Sequence, residues 1–255
     1  MDLGLRGRVA FVTGSSKGLG RALALALGRE GARVALTYYQ DEAAGKETAR
    51  QIEEAGGQAL PAFLDLSDET SLVEAVQLVR ATFGAIEVLI NNAVAWPGFP
   101  PPGERFETAP IERLHTSLRA NLEGHYRLSQ LIVGGMREVA WGRIVHISTG
   151  LVLDGLPGSS AYVMAKAGLH GLTRTMSREL AREGILTNLV MAGFMADERR
   201  QLPESVLQQA RAAAATGRTT RPEEVASLVM YLCSAANTNV TGELIRADGH
   251  FLTPA

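Results

Sequence analysis

Two residues with complementary chemistry, Tyr162 and Lys166, lie four positions apart in the segment Tyr-Val-Met-Ala-Lys. The small and apolar residues around this segment predict a helix, which places both side chains on one face. A cation about 4 Å from a phenolate, at an effective dielectric near 20, stabilises it by roughly 4 kcal/mol, or about three pKa units. The pair is therefore predicted to donate and accept a proton near neutral pH, although a tyrosine and a lysine one turn apart are often only helix neighbours.

A glycine-rich segment near the N-terminus could bind a phosphate. The apolar run 8–13 predicts a buried strand, and the residues after the glycines predict a helix that ends near Gly31. Between them, backbone without side chains would let a pyrophosphate approach N–H groups at the positive end of the helix. The spacing differs from GxGxxG, and such a turn could also serve only as a tight connection. The predicted phosphate-binding residues are Gly14, Ser16, Lys17, Gly18, Leu19 and Gly20.

The end of the second predicted strand indicates which dinucleotide is preferred. An acidic residue there would hold the ribose 2′-hydroxyl of NAD, but the chain has Tyr38, Tyr39 and Gln40. Lys17 in the glycine-rich turn could instead bind the 2′-phosphate of NADP. Asp41 could still act as the ribose acid, or it could begin the next helix. NADP(H) is therefore favoured over NAD(H).

Apolar runs and amphipathic segments alternate along the whole chain. This alternation predicts a doubly wound, right-handed parallel sheet, with a ligand crevice where the strands' carboxyl ends place Gly14, Asp65 and Asn91. The predicted fold class is α/β, a single-domain, Rossmann-like doubly wound parallel sheet with helices on both faces, over residues 1–255. The predicted strands are 8–13, 33–38, 58–64, 86–93, 143–147, 185–190 and 243–246, and the predicted helices are 21–31, 42–55, one from 67, 121–139, 160–182, 194–217 and one from 221.

Composition and charge argue against several classes of function. The chain has 255 residues, 20% of them charged, and a net charge of -2, which gives no reason to expect a nucleic acid or a membrane as partner. The five histidines are scattered without metal-ligand spacing, so no catalytic metal is expected. A single cysteine, no signal peptide and no long apolar run indicate a cytoplasmic protein.

The stretch 94–104 is rich in proline and glycine and carries Trp96, so it is predicted as a surface loop. It could wall a pocket, or it could be a simple insertion. The predicted substrate-pocket segments are about 94–106 and 194–217.

Taken in order, the motifs resemble those of the short-chain dehydrogenase/reductase family along essentially the whole chain. Within the family, the chain is most similar to oxoacyl and polyketide ketoreductases. The motifs are Thr13–Gly20, Asp65, Asn91–Val94, Asn121, the hydroxyl pair Ser148 and Thr149, Tyr162 with Lys166, Asn188, and Arg221–Ala226.

The resemblance implies hydride transfer between a nicotinamide and a carbonyl carbon, with Tyr162 as general acid/base. It implies that Lys166 holds the nicotinamide ribose and lowers the pKa of Tyr162, and that Asn121 supports a water relay. It also implies a homo-oligomer, with a tetramer favoured, built on helices that start near residues 121 and 160. The cofactor contacts implied beyond the glycine-rich turn are Tyr39, Asp65, Leu66, Asn92, Ala93, Tyr162, Lys166, Gly193 and Met195.

In the family a hydroxyl orients the substrate carbonyl, and this chain offers two adjacent ones. Counting back from Tyr162 puts Thr149 in the family's serine position, while Ser148 is expected to bond to backbone at the strand end. Both are predicted site residues. Neighbouring residues on a strand point to opposite faces, so both cannot serve equally.

Other departures leave open the cofactor affinity and the direction of the reaction. They are Val94, Ala192 and Asp197. The positions of docking arginines in acyl-carrier reductases are Ala140 and Glu183 here, which favours a free small-molecule ketone or alcohol as substrate. The predicted function is NADP-dependent reduction of such a ketone, or oxidation of the matching alcohol. An NAD-dependent alcohol dehydrogenase and a non-catalytic nucleotide-binding protein of this fold remain alternatives.

Overall fold

A computed structural model of the chain describes residues 2–96, 98, 101, 103–196 and 202–251. Its seven strands form one sheet in the order β3-β2-β1-β4-β5-β6-β7, and every neighbouring pair is parallel. The predicted doubly wound α/β fold is confirmed. The strands are β1 (Val9–Val12), β2 (Arg33–Tyr38), β3 (Gln58–Phe63), β4 (Val88–Asn91), β5 (Gly142–Thr149), β6 (Ile185–Ala192) and β7 (Leu244–Ala247).

Helices follow the strands and pack on the two faces of the sheet. They are α1 (Gly18–Arg29), α2 (Glu42–Glu54), α3 (Glu69–Phe83), α4 (Ile111–Leu118), α5 (Gly124–Glu138), the short α6 (Leu151–Asp154), α7 (Ser160–Leu180), α8 (Glu204–Ala213) and α9 (Pro222–Cys233).

Two predicted helices differ from the structure. The helix predicted over 121–139 begins instead with a widened π-helical turn, Arg119–Glu123, before α5. Of the segment predicted as helical over 194–217, the structure describes 194–196 and 202–217, and among these residues the helix is α8. Pro203 stands immediately before α8 with an extended ψ of 139°, a place where its missing N–H costs no helical hydrogen bond.

The buried strands carry apolar side chains on both faces, and each face has its own core. Val12 and Ile90 belong to the cluster that α1 and α9 cover, whereas Phe11 and Leu89 belong to the cluster under α3 and α5. This division follows from the alternation of side chains along a strand. Each fully buried side chain of this kind stabilises the fold by about 1.5 to 3 kcal/mol, so the core fixes the position of the strand ends.

At the amino-terminal edge of the sheet a buried arginine closes the end of β5. Arg143 donates to the carbonyl oxygens of Ser234 (3.2 Å) and Asn237 (2.8 Å), and burial lowers its pKa to about 10. Trp141 lies between this guanidinium and that of Arg8, at 4.4 and 4.0 Å from the ring centre. This edge is structural, and the candidate site lies at the opposite, carboxyl edge.

No helix within the described residues is long and apolar enough to cross a membrane.

Candidate active site

The glycine-rich turn after β1 is attached to β4 through one hydroxyl. Thr13 Oγ1 accepts the backbone N–H groups of Asn92 (2.8 Å) and Ala93 (2.9 Å). The Asn92 side-chain amide in turn donates to the carbonyl oxygens of Thr13 (2.9 Å) and Gly14 (3.1 Å). These four bonds bring the two predicted cofactor-binding segments together at the carboxyl edge.

Two glycines of the turn tolerate no side chain. Gly14 has a φ of +63°, and a Cβ there would lie 2.8 Å from the Cα of Ala93. A Cβ on Gly20 would lie 2.1 Å from the Gly14 carbonyl oxygen. Both distances are far below normal contact, so the turn needs glycine to pack this closely.

The same turn presents the amino end of α1 to solvent. Lys17 stands at the N-cap and, among the described residues, makes no capping bond with its side chain. Gly18 has a φ of +54° and open space around it, and Ser16 is buried beneath. An uncapped helix start beside open space fits a pyrophosphate, because unpaired N–H groups and the helix dipole both favour an anion.

Ser15, which sequence reasoning passed over, has a structural role. Its hydroxyl donates to the Val12 carbonyl oxygen (2.6 Å) and accepts the Thr37 N–H (2.9 Å). It therefore joins the glycine-rich turn to β2.

The end of β2 is aromatic rather than acidic. Tyr39 is 55% exposed, and its ring lies 6.0 Å from the ring of Phe63 at the end of β3. Asp41 Oδ1 accepts the Ala44 N–H at 3.0 Å, so this carboxylate caps α2. Of the two uses that the sequence left open for Asp41, the structure supports the helix start.

Asp65 and Leu66 follow β3, as predicted, at the same edge. Asp65 Oδ1 accepts the backbone N–H (2.8 Å) and the hydroxyl (2.7 Å) of Ser67, which fixes the turn into α3. A Cβ added to Gly124 would lie only 2.2 Å from the Leu66 carbonyl oxygen. The start of α5 is thus packed directly against this turn.

Tyr162 and Lys166 lie on α7, as the spacing predicted, and both are buried. Lys166 is 2% exposed, and its amino group donates to the Ile147 carbonyl oxygen at 3.0 Å. Burial lowers the pKa of Lys166 to about 8. A protonated lysine has three donors, so the two that this bond leaves fit the hydroxyls of a ribose.

The predicted lowering of the Tyr162 pKa by Lys166 is wrong for this arrangement. Tyr162 is 9% exposed, and burial raises its pKa to about 12. The reason is that the lysine amino group is directed at the Ile147 carbonyl, while the phenol has lost water without gaining a charged partner.

An aromatic residue of the predicted loop covers Tyr162. The ring centres of Trp96 and Tyr162 are 4.8 Å apart at an interplanar angle of 87°. Asn121 holds Ala95, the residue before Trp96. The side-chain amide of Asn121 accepts the Ala95 N–H (2.9 Å) and donates to the Ala95 carbonyl oxygen (3.0 Å). Asn121 is fully buried in the π-helical turn, a local distortion that often marks functional sites.

Ser148 and Thr149 end β5 and use their hydroxyls differently. Ser148 Oγ lies 3.0 Å from Nε2 of His170, and Thr149 Oγ1 accepts the Leu151 N–H at 3.3 Å. The expected backbone partner of Ser148 is therefore wrong, because the partner is a histidine side chain. His170 was missed, although its place one turn after Lys166 on α7 signals that it lies on the same face.

A buried polar network behind the strand ends was also missed. The Asn91 amide lies 3.3 Å from Nδ1 of His125 and 3.1 Å from Nδ1 of His146, and it donates to Ser129 at 3.2 Å. His125 Nε2 lies 3.0 Å from the Ala93 carbonyl oxygen. Burial lowers the pKa of His146 to about 3 and that of His125 well below its usual value, so both imidazoles are neutral.

Residues after β6 and β7 close the far side of the edge. Gly193 donates its N–H to the Ala247 carbonyl oxygen (3.2 Å), and Met195 is partly buried against the core. Asp197 lies outside the described residues, so its predicted place near a nicotinamide stays a prediction.

Arg246, at the end of β7, joins three parts of this edge. Its guanidinium contacts Asp154 at 3.0 Å and Asp248 at 2.7 Å, and it donates to the Phe251 carbonyl oxygen at 2.5 Å. Because Asp154 ends α6, the ion pair ties the segment after Thr149 to the C-terminal strand. Sequence reasoning missed this cluster.

Within the described residues, no three His, Cys, Asp or Glu side chains are grouped so that they could hold a metal ion.

Fold and site together define a doubly wound α/β protein with a glycine-rich turn and a buried tyrosine–lysine pair at one sheet edge. The family model described as "Enoyl-(Acyl carrier protein) reductase" matches residues 14–251. The chain belongs to the short-chain dehydrogenase/reductase family of oxidoreductases, as its motifs predicted.

Individual relatives are similar over almost the whole chain. The 3-oxoacyl-[acyl-carrier-protein] reductase FabG of Aquifex aeolicus (strain VF5) is 34% identical over 98% of this chain and 99% of its own length. The crystal structure of L-sorbose reductase from Gluconobacter frateurii, complexed with NADPH and L-sorbose, superposes with a TM-score of 0.91 and 27% identity over 100% of both chains. Acetoin dehydrogenase from Enterobacter cloacae superposes with a TM-score of 0.85 and 33% identity over 96% of both chains.

Proposed function

We propose that this protein reduces the carbonyl of a free small-molecule ketone with NADPH, or oxidises the matching secondary alcohol, with Tyr162 as general acid/base. The observation that carries the proposal is the placement of Tyr162 and Lys166 one turn apart on α7, with the Lys166 amino group 3.0 Å from the Ile147 carbonyl at the end of β5. When bound, the cofactor supplies the hydride that the carbonyl carbon accepts.

The residues of the chain handle the proton and the position of the carbonyl. Tyr162 donates its phenolic proton to the carbonyl oxygen, while the Thr149 hydroxyl donates a hydrogen bond that orients this oxygen. With a pKa of about 8, Lys166 is mostly protonated at neutral pH. Its remaining donors bind ribose hydroxyls.

Three observations support NADP over NAD. Lys17 is an exposed cation in the glycine-rich turn, no acid ends β2, and Asp41 is engaged as the cap of α2. The sorbose reductase that superposes on this chain was crystallised with NADPH. A charge-assisted bond to the 2′-phosphate would outweigh the loss of an acidic partner for a ribose hydroxyl.

A free substrate is supported by the surface around α5. Ala140 replaces one docking arginine of the acyl-carrier reductases, and Glu183, at the position of the other, is ion-paired with Arg137. Neither of these two positions offers a positive charge to an acidic carrier protein. The superposed structures named for L-sorbose and acetoin act on small carbonyl compounds or alcohols by their names.

The test is a screen of small ketones and secondary alcohols with the purified full chain, following nicotinamide absorbance with each cofactor. We expect ketone-dependent consumption of NADPH and a lower KM for NADPH than for NADH. Lys17→Ala should raise the KM for NADPH about tenfold, at the low end for a charge-assisted bond because Lys17 is exposed, and should leave the KM for NADH unchanged. A lower KM for NADH in the native protein would contradict the cofactor assignment.

The homotetramer and the cytoplasmic location stay predictions. Light scattering at micromolar concentration should give a mass of about four chains if α5 and α7 pack against partner copies. A monomeric mass would contradict this assembly.

A further inference from the structure

The ring of Trp96 stands edge-on to the ring of Tyr162, with 4.8 Å between the ring centres and an angle of 87° between the planes. Such edge-to-face contacts are specific in geometry, because the positive edge of one ring meets the negative face of the other. Trp96 therefore has a defined place beside the side chain that our proposed function makes the proton donor.

The backbone on the amino-terminal side of Trp96 is held from two directions. Asn121 bonds both the N–H and the carbonyl oxygen of Ala95, and Thr13 accepts the N–H of Ala93. Since Asn121 and Thr13 are themselves fully buried, the backbone that leads into Trp96 is fixed. The indole is thus positioned by the frame of the site.

Exposed apolar side chains occur in the loop of Trp96 and in the segment after Thr149. Val94, two residues before Trp96, is 53% exposed, and Leu153, in the segment after Thr149, is 60% exposed. Tyr162 itself is only 9% exposed. Because the indole is packed against the ring of Tyr162, a carbonyl compound that approaches the phenol lies beside the indole.

We propose that Trp96 is a specificity-determining residue whose indole limits the size of the substituent on one side of the substrate carbonyl. The inference rests on the proposed function and deepens it. It assigns the substrate class as compact ketones, in which one side of the carbonyl carries a short group such as methyl or hydroxymethyl. Ketones with a ring or a long chain on both sides would collide with the indole.

The experiment compares a compact ketone, acetoin, with a bulky one, 5-nonanone, which carries a butyl chain on both sides of its carbonyl, as substrates of the full chain with NADPH. The measured quantity is the ratio of kcat/KM for the bulky ketone to that for the compact one. Trp96→Ala should raise this ratio at least about tenfold, and Trp96→Phe should raise it less, because pocket contacts of one side chain discriminate by about 10- to 200-fold.

The other tryptophan provides a matched control, since the chain has only two. Trp141 packs between Arg8 and Arg143 at the opposite edge of the sheet, and Trp141→Phe should leave the ratio unchanged. The melting temperature and the Kd for NADPH are measured for every variant. An unchanged ratio in a folded, NADPH-binding Trp96→Ala protein would overturn the inference and reduce Trp96 to a packing residue of the loop.

Fluorescence gives a readout that does not depend on turnover. In Trp141→Phe the sole tryptophan is Trp96, and acetoin should change its emission at concentrations near the KM, whereas 5-nonanone should not. An emission unaffected by acetoin would overturn the inference. If the Trp96→Ala protein does not fold, this fluorescence measurement alone decides the question. If the native protein turns over no ketone or alcohol with either cofactor, the proposed function fails; if turnover is normal and the ratio is insensitive to Trp96, only this inference fails.

Discussion

The amino group of Lys166 lies 3.0 Å from the carbonyl oxygen of Ile147, so the helix that carries Tyr162 is bonded directly to the strand end that carries Ser148 and Thr149. The bond joins a buried cation to a strand that lies between β4 and β6 in the middle of the sheet. It keeps α7 in register with the hydroxyl pair.

Burying this lysine makes the stability of the fold depend on pH. The pKa of Lys166 is about 8 in the folded chain, against about 10.4 for an unfolded lysine. Between these values the unfolded chain binds more protons, so this residue makes the folded state more stable as the pH rises from about 8 to about 10.4, by up to about 1.4 kcal/mol per pH unit. Lys166→Met should remove that rise.

Urea unfolding at several pH values across this window measures the effect. Lys46→Met is the control, because Lys46 is exposed on α2 and ion-paired with Glu42. A rise that persists in Lys166→Met would show that Lys166 is solvated in solution.

The two hydroxyls at the end of β5 should differ in their effect on catalysis. Thr149→Ala should lower kcat by about 10² to 10³, as the loss of other donors to a developing oxyanion does, without changing the Kd for NADPH. Ser148→Ala should keep kcat within about tenfold of the native value, because its hydroxyl is directed at His170. The reverse pattern, an inactive Ser148→Ala and an active Thr149→Ala, would mean that Ser148 orients the carbonyl.

The buried histidines should make the protein sensitive to acid. Burial lowers the pKa of His146 to about 3, so the stability gained from keeping it neutral is complete above about pH 6.5 and is lost as the pH falls toward 3. His146→Asn, which keeps an acceptor for the Asn91 amide, should flatten the fall in unfolding free energy between about pH 6.5 and 4. His115→Asn, at an exposed position on α4, is the control, and equal slopes in all three proteins would contradict a buried neutral His146.

The ion pair of Asp154 and Arg246 should couple the segment after Thr149 to the C-terminal strand. Both side chains are mostly buried, with 14% and 22% exposed, so a double-mutant cycle of Asp154→Asn and Arg246→Gln should give about 1 kcal/mol of coupling in unfolding free energy. The KM for the ketone should rise in either single variant. If the two substitutions change the unfolding free energy additively, Arg246 gains no stability from Asp154, and Asp248 is its effective ion-pair partner.

Alternation of apolar runs with amphipathic segments was enough to predict the sheet, because the core requires that pattern on both faces. The boundaries of β2 were predicted without error, and those of β1 and β3 to within two residues. In the described part of the helix predicted over 194–217, α8 begins at Glu204, directly after Pro203, a start signal that the alanine-rich composition of the segment concealed.

The site was predictable where residue type and chain spacing set the geometry. Gly14 and Gly20 are required by close backbone contacts, and a four-residue spacing put Lys166 on the face of Tyr162. The direction of the lysine side chain was not predictable, because it depends on which buried carbonyl the fold leaves within reach. The contact of Trp96 with Tyr162 was likewise hidden, since Asn121 sets the path of that loop from a distant part of the chain.

Replacing the proposed proton donor tests the central claim most directly. Tyr162→Phe keeps the ring that packs against Trp96 and removes only the hydroxyl. With acetoin and NADPH, kcat should fall by about 10² to 10⁴, the contribution of a positioned general acid, while the Kd for NADPH and the melting temperature stay at their native values. A Tyr162→Phe protein that reduces acetoin within about tenfold of the native kcat would contradict the account.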